Sequence, residues 1–295
     1  MIDPDKIEAF LEAAESPDEG DLPRAALTLP LLEYRDLDPA PSLGQLARLG
    51  AVAAARLERL GPMASAHAQV DALNTLLFED EGFRGNATRY EDPRNSFLND
   101  VLDRRTGIPI TLAIVYMEVG RQAGLLLEGV NFPGHFLVRC RPGSRDADSL
   151  RELIIDPFHQ GALLSEADCR QMLRKYLGDD AVFDRRLMST ADKRDILVRM
   201  LQNLKRLYVS MRSFPQARAA VDLLLALDPF DFSELRDRGL LSYHQQEFQV
   251  ALRDLEAYFR SAPRISPDSD QDQREECNEV WEHLKSLRRR VAGLN

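Results

Sequence analysis

NFPGHFLVRC (Asn131–Cys140) and LRELIIDPFHQG (Leu150–Gly161) are the two stretches whose reading decides the fold. Each mixes branched, aromatic and turn-forming residues, and Arg141–Ser149 between them is rich in Pro, Gly, Asp and Ser, the composition of a turn. The two read as strands of an antiparallel hairpin. With the loop centred between Arg145 and Asp146, Phe136 lies opposite Ile155 and His135 opposite Asp156. An imidazole facing a carboxylate is what a nucleophilic hydrolase or transferase uses to orient and polarise its general base.

Upstream, Thr106-Gly107-Ile108-Pro109 is a turn signal with Pro at a first helical position, and an apolar run from Ile110 to Ala123 stops at Gly124. This predicts a buried helix. A nucleophile at its N-terminus would gain from the helix dipole, which lowers a thiol pKa, yet Pro109, Ile110 and Thr111 stand there and no Cys does. Thr111 is a poor substitute, because threonine nucleophiles need an N-terminal amine or a comparable base beside them.

The 295 residues suffice for two cores, and 44% hydrophobic with 29% charged residues describes a soluble globular chain. No apolar run reaches the length of a membrane span. The acidic N-terminus, MIDPDKIEAF, lacks an export layout, so a cytoplasmic location is expected. A net charge of −10 argues against nucleic acid or anionic lipid as partner, and Arg288–Arg290 read as a solvated helix end. Cys140, Cys169 and Cys277 are too scattered for a disulfide framework or a zinc motif, and no cofactor is expected.

Three parts follow along the chain: a helical part at 1–85, a core at 86–185 and a helical repeat module at 190–295. Leu43–Leu60 and Ala64–Phe78 carry helical periodicity, and Ser165–Leu177 reads as a helix capped by Ser165. Val182-Phe183 and Gly129-Val130 are weak strand candidates. Phe214 and Phe248, Ala217 and Ala251, Val221 and Leu255, and Pro229 and Pro263 are each 34 residues apart, the period of tetratricopeptide helix pairs. Leu201 with Leu235 and Leu207 with Leu241 extend the register. Two repeats are few to stand alone, so they should pack on the core or on a helix from Val280 to Val291.

The string from Asn95 to Arg139, NSFLNDVLDRRTGIPITLAIVYMEVGRQAGLLLEGVNFPGHFLVR, resembles the bacterial SirB-type proteins, in which a transglutaminase-like core precedes tetratricopeptide-like repeats. With its flanks the likeness spans Leu43 to Pro263. It implies an α+β fold with a papain-like core, and it places His135 and Asp156 at the superfamily's His and Asp positions. The superfamily's Cys falls near Pro109, Ile110 and Thr111, where this chain has no thiol. The resemblance therefore implies a vestigial triad, with acyl transfer and amide hydrolysis in question.

Each singled-out residue has a plainer role as well. His135 reads as a structural histidine held by Asp156, and Asp156 before Pro157 as a turn carboxylate. His159 would complete a zinc set with them, but the spacing is no recognised motif and no metal is expected. Cys140 falls on the strand face opposite His135, and Cys169 lies inside a helix. Asn95, Asn99, Asp103, Arg104, Arg105, Asn131 and His159 are candidate binding residues beside His135, with caps and ion pairs as the alternative for those preceding the buried helix. The expected function is a non-catalytic, regulatory or scaffold protein that binds a protein or peptide in the cleft or the repeat groove. The alternatives are a hydrolase or acyltransferase of altered chemistry built on His135 and Asp156, and a metal-dependent hydrolase.

Overall fold

The computed structural model describes residues 4–34, 36–141, 152–261 and 271–292. The expected loop centre at Arg145 and Asp146, the strand start at Leu150 and the repeat position Pro263 lie outside them. Two compact units emerge, Glu12–Met200 and Met1–Leu11 with Leu201–Asn295. No described helix is long and apolar enough to cross a membrane.

The first part of the chain is helical: α1 (Pro4–Glu15), α2 (Leu22–Ala26), α3 (Ala40–Leu60) and α4 (Ala66–Asn74). α4 starts at a Ser65 cap and widens into a π-helical turn over Thr75–Asp80, so the α-helix is shorter than the periodicity of Ala64–Phe78 suggests. Strand β1 (Arg84–Gly85), α5 (Leu98–Arg104) and β2 (Thr106–Gly107) follow, with β1 and β2 paired in parallel.

The apolar run becomes α6 (Pro109–Gln122), with Pro109 at its first position and every residue from Pro109 to Gly120 buried. A helix apolar on all sides needs cover on all sides. It has it from α2, α3, α5 and the sheet.

That sheet holds β3 (Leu127–Val130), β4 (Leu137–Cys140), β5 (Leu153–Asp156), β6 (Ala162–Leu164) and β7 (Thr190–Ala191) in the order β6-β5-β4-β3-β7, antiparallel throughout. Helix α7 (Glu166–Leu177), with Ser165 and Asp168 capping each other, packs Cys169 and Leu173 against Val130, Phe132 and Leu137.

Three expectations need correcting here. The hairpin pairs Val138 with Ile155 and Arg139 with Ile154, two residues away from the expected register. The strands are also shorter than expected: Pro133-Gly134 makes a turn with Gly134 at φ 70°, so β4 begins only at Leu137, and Pro157 ends β5 at Asp156. Val182-Phe183 is not a strand, and the outer strand beside β3 is Thr190–Ala191 instead. Gly129-Val130 does belong to β3. Because strand faces repeat every two residues, a two-residue slip leaves each side chain on the face assigned to it.

The other unit draws on α8 (Lys193–Ser210), from Leu201 onward, and on α9 (Phe214–Leu227), α10 (Phe232–His244), α11 (Phe248–Ser261) and α12 (Gln271–Ala292). Phe214 and Phe248 both open helices, and Ala217, Ala251, Val221 and Leu255 are fully buried, as equivalent positions of a repeat should be. The helix expected at Val280–Val291 is the end of α12, whose Val280, Leu284 and Leu287 pack on Ala251 and Leu255. Its polar interior is charge-matched: Lys205 donates to Glu234 at 2.7 Å and Asp237 at 2.7 Å, and Arg238 donates to Asp254 at 2.6 Å and Asp222 at 3.3 Å.

Candidate functional site

Asp156 ends β5 and caps the 3-10 turn Pro157–His159, its Oδ1 accepting from the backbone N–H of Phe158 at 3.0 Å and of His159 at 3.4 Å. The chain then leaves through Gln160 and Gly161, both at positive φ. Gly161 is required twice over, since its φ is 75° and a Cβ there would lie 2.1 Å from Asn74 Oδ1. The Asn74 amide in turn donates to the Gly161 carbonyl at 3.0 Å and accepts from the Tyr116 hydroxyl at 3.0 Å. The point where α4 turns π-helical thus pins the turn that carries Asp156 and His159.

His135 sits in the Pro133-Gly134 turn rather than on a strand, its backbone N–H donating to the Phe132 carbonyl at 3.1 Å. Arg199 of α8 clamps this turn by donating to the carbonyls of Phe132 and His135, at 3.4 and 3.3 Å, and to Asn131 Oδ1. The imidazole and the carboxylate are therefore held by separate pieces of scaffold.

The two side chains nevertheless meet. His135 Nε2 is 2.9 Å from Asp156 Oδ1, and His159 Nδ1 is 2.7 Å from Asp156 Oδ2. Asp156 is 1% exposed, His135 11% and His159 62%, so the cluster runs from the interior to solvent. Burial works against ionisation of Asp156, but the hydrogen bonds and charge of His135, then of His159, hold its carboxyl below the usual range. An ionised carboxylate only accepts, which fixes both tautomers: His135 donates through Nε2 and His159 through Nδ1, leaving His135 Nδ1 and His159 Nε2 as the free ring nitrogens in the neutral state. One potential ligand atom from each of the three residues lies within 4.8 Å of the others.

Aromatic rings wall the cluster. Phe158 stands edge-on to His135 and to His159, with ring centroids 5.9 and 5.2 Å apart, and Tyr90 meets Phe158 edge-on at 6.3 Å. Phe158 also packs against Gly85, where a Cβ would come within 2.6 Å of its ring. Gly85 pairs with Gly107, two residues before α6, so the cluster adjoins the start of that helix.

At the helix start the chemistry differs. Thr111 is fully buried; its Oγ1 donates to the Asn95 carbonyl at 2.7 Å and accepts from the Ile108 N–H at 3.1 Å. The hydroxyl is used up as a cap. Burial pushes the Cys140 thiol up to about 11, and burial followed by the nearby Asp168 and Glu166 carboxylates pushes Cys169 up to about 11. The side chain of Cys277 lies outside those described.

The remaining candidates are placed as follows. Asn95 is fully buried and donates to the carbonyls of Arg89, at 2.7 Å, and Tyr90, at 3.3 Å, while Asn86 donates to its Oδ1 at 3.1 Å. Asn99 is buried with Oδ1 lacking a hydrogen bond among the described residues. Arg104 pairs with Asp92 at 3.7 Å. Asp103 accepts from Gln45 at 2.9 Å, and Arg105 pairs with Glu81 at 3.0 Å with its guanidinium over Phe83. Asn131 is engaged by Arg199. The structure thus gathers His135, Asp156 and His159 into one cluster, and gives Asn95, Asp103, Arg104, Arg105 and Asn131 bonds that fasten loops.

Sequence reasoning missed Arg199, Asn74, Phe158 and Tyr90. Phe158 could have been found, since it lies between two residues already singled out. Arg199 and Asn74 act from 64 and 87 residues away, on the His135 and Gly161 carbonyls, and carry no local signal.

Residues 43–202 match a family described as the transglutaminase-like superfamily, and residues 204–279 match the tetratricopeptide repeat. The chain is similar to the UPF0162 protein of Xylella fastidiosa strain Temecula1, 41% identical over 195 residues that cover 65% of this chain and 67% of that one. It is 29% identical to the UPF0162 protein of Vibrio cholerae over 214 residues, 71% and 77% of the two chains. It is 33% identical to F-box only protein 21 of Mus musculus over 181 residues, 59% of this chain and 28% of the mouse protein. No solved structure matches. The long stretch over the core, followed by the repeats, decides the matter: the chain belongs to the UPF0162 family, the SirB-type proteins, with a transglutaminase-like domain followed by tetratricopeptide repeats.

Proposed function

We propose that the protein is a non-catalytic, protein-binding member of its superfamily, in which the surface beside His135, the repeat groove, or each separately receives a peptide or protein segment. The observation that carries this reading is the commitment of Thr111. The one hydroxyl at the start of α6 is spent on the Asn95 carbonyl and the Ile108 N–H, and both described thiols are buried with raised pKa values. Tetratricopeptide repeats generally mediate protein interactions, and their concave faces accept extended or helical segments. At the core, Phe158 and the exposed Tyr90 supply apolar surface beside hydrogen-bonding imidazoles, the mixture that peptide grooves use.

The test pairs chemistry with binding. The full chain is incubated with a glutamine-rich protein and a fluorescent amine, and separately titrated with a labelled peptide library. The reading expects no amine incorporation above background, and peptide binding that Tyr90→Ala weakens. Amine incorporation that disappears in His135→Ala would overturn it.

A second reading has one observation behind it: His135 is oriented by an ionised Asp156 with its Nδ1 free, the arrangement of a general base that could act on water. Hydrolysis of an ester or amide panel that is lost in both His135→Ala and Asp156→Asn would favour it.

A further inference from the structure

We propose that His135, Asp156 and His159 bind one divalent transition-metal ion of the zinc class, through His135 Nε2, a carboxylate oxygen of Asp156 and His159 Nδ1. Two imidazoles and a carboxylate suit zinc, cobalt or nickel, whereas magnesium and calcium prefer oxygen donors alone. The donor atoms already converge, lying within 4.8 Å of one another with the two imidazole-to-carboxylate distances at 2.9 and 2.7 Å.

In a tetrahedral site ligands bonded at about 2.0–2.2 Å lie about 3.3–3.6 Å apart, so the widest pair must close by roughly an ångström while the two imidazole-to-carboxylate contacts open by about half an ångström. His159 can supply that movement, being 62% exposed on a short 3-10 turn. Its exposure also gives the ion a path from solvent and leaves an open coordination position on that side.

The carboxylate is prepared for this independently of the imidazoles. The backbone N–H groups of Phe158 and His159 both donate to Oδ1, so Asp156 keeps its orientation when the imidazole hydrogen bonds are exchanged for metal bonds. Oδ2 has the exposed His159 as its side-chain partner. Each neutral imidazole moves its proton to its other ring nitrogen on coordination, so no net proton is released. The Arg199 clamp on the His135 carbonyl and the Asn74 bond to Gly161 fix the backbone on both sides, as a preformed site needs.

This inference does not depend on whether the cleft binds a peptide. It is tested by calorimetric titration of Zn²⁺ into the chelator-treated full chain, with the visible absorption of Co²⁺ as a coordination signature, in wild type, His159→Gln and His135→Gln. His159 is exposed, so its variant should keep the wild-type circular dichroism. The expected result is one ion per chain and an affinity at least tenfold weaker in His159→Gln, in line with the 10- to 100-fold that even supporting residues contribute. No zinc uptake at millimolar concentration would overturn it. So would uptake and a Co²⁺ spectrum left unchanged by both substitutions, which would assign the ion to other histidines.

Discussion

The start of α6 and the end of β5 meet in the same corner of the core, and they treat their polar side chains in opposite ways. At the helix start, Thr111 is sealed from solvent with its hydroxyl bonded on both sides. At the strand end, Asp156 is equally buried, but it holds two imidazoles of which one reaches solvent. A buried polar group with every bond made is a fastener, whereas a buried charge connected to an exposed titratable ring is a site. The helix start thus spends its hydroxyl on scaffold, while the strand end joins its carboxylate to two histidines.

Substitutions at the two ends should separate these roles. The largest effect is expected at Asp156: its replacement by Ala leaves two imidazoles and two backbone N–H groups without their acceptor, and should cost about 3–5 kcal/mol in urea unfolding. A loss below about 1 kcal/mol would mean that the carboxylate is not the hub described.

Thr111→Val comes next. It keeps the shape but removes the hydroxyl that bridges the Asn95 carbonyl and the Ile108 N–H, leaving those two only their own 3.4 Å bond, and should cost about 1–2 kcal/mol, with Thr111→Ser recovering most of it. If Val were tolerated as well as Ser, the hydroxyl would be free of the capping duty and open to another one.

The smallest stability effect should come from His159→Ala, under about 1 kcal/mol, because the ring is mostly exposed. A large loss there would turn the cluster into a second fastener and erase the contrast between the two ends.

Much of this contrast was legible in the sequence. Pro109 and Gly124 bracket α6 because their backbone preferences are local, and Ser165 begins α7 for the same reason. The sequence register sets His135 opposite Asp156 two residues away from the observed pairing, and because His135 precedes β4 it is the turn, not the ladder, that brings its imidazole to the carboxylate. Pro133-Gly134 makes a turn among strand-forming residues and sets His135 in a loop, where the surrounding composition predicts a strand. Strand β7 is two residues long and owes its existence to pairing with Gly129 and Val130, which nothing at Thr190-Ala191 announces. Arg199 and Asn74 were invisible for a related reason, since a hydrogen bond to a distant backbone carbonyl leaves no pattern in sequence.

The central claim, that the core keeps its His and Asp without an activated thiol, is tested most directly by thiol reactivity. In the Cys277→Ser variant, Cys140 and Cys169 are the remaining thiols, and burial raises both to about 11, so at pH 7.5 each is held as the neutral, unreactive thiol. Iodoacetamide at that pH should leave both unmodified in the native protein and label both after unfolding. Rapid labelling of either thiol in the folded chain, with a rate that falls only below neutral pH and collapses in His135→Ala, would contradict the account and restore an enzyme.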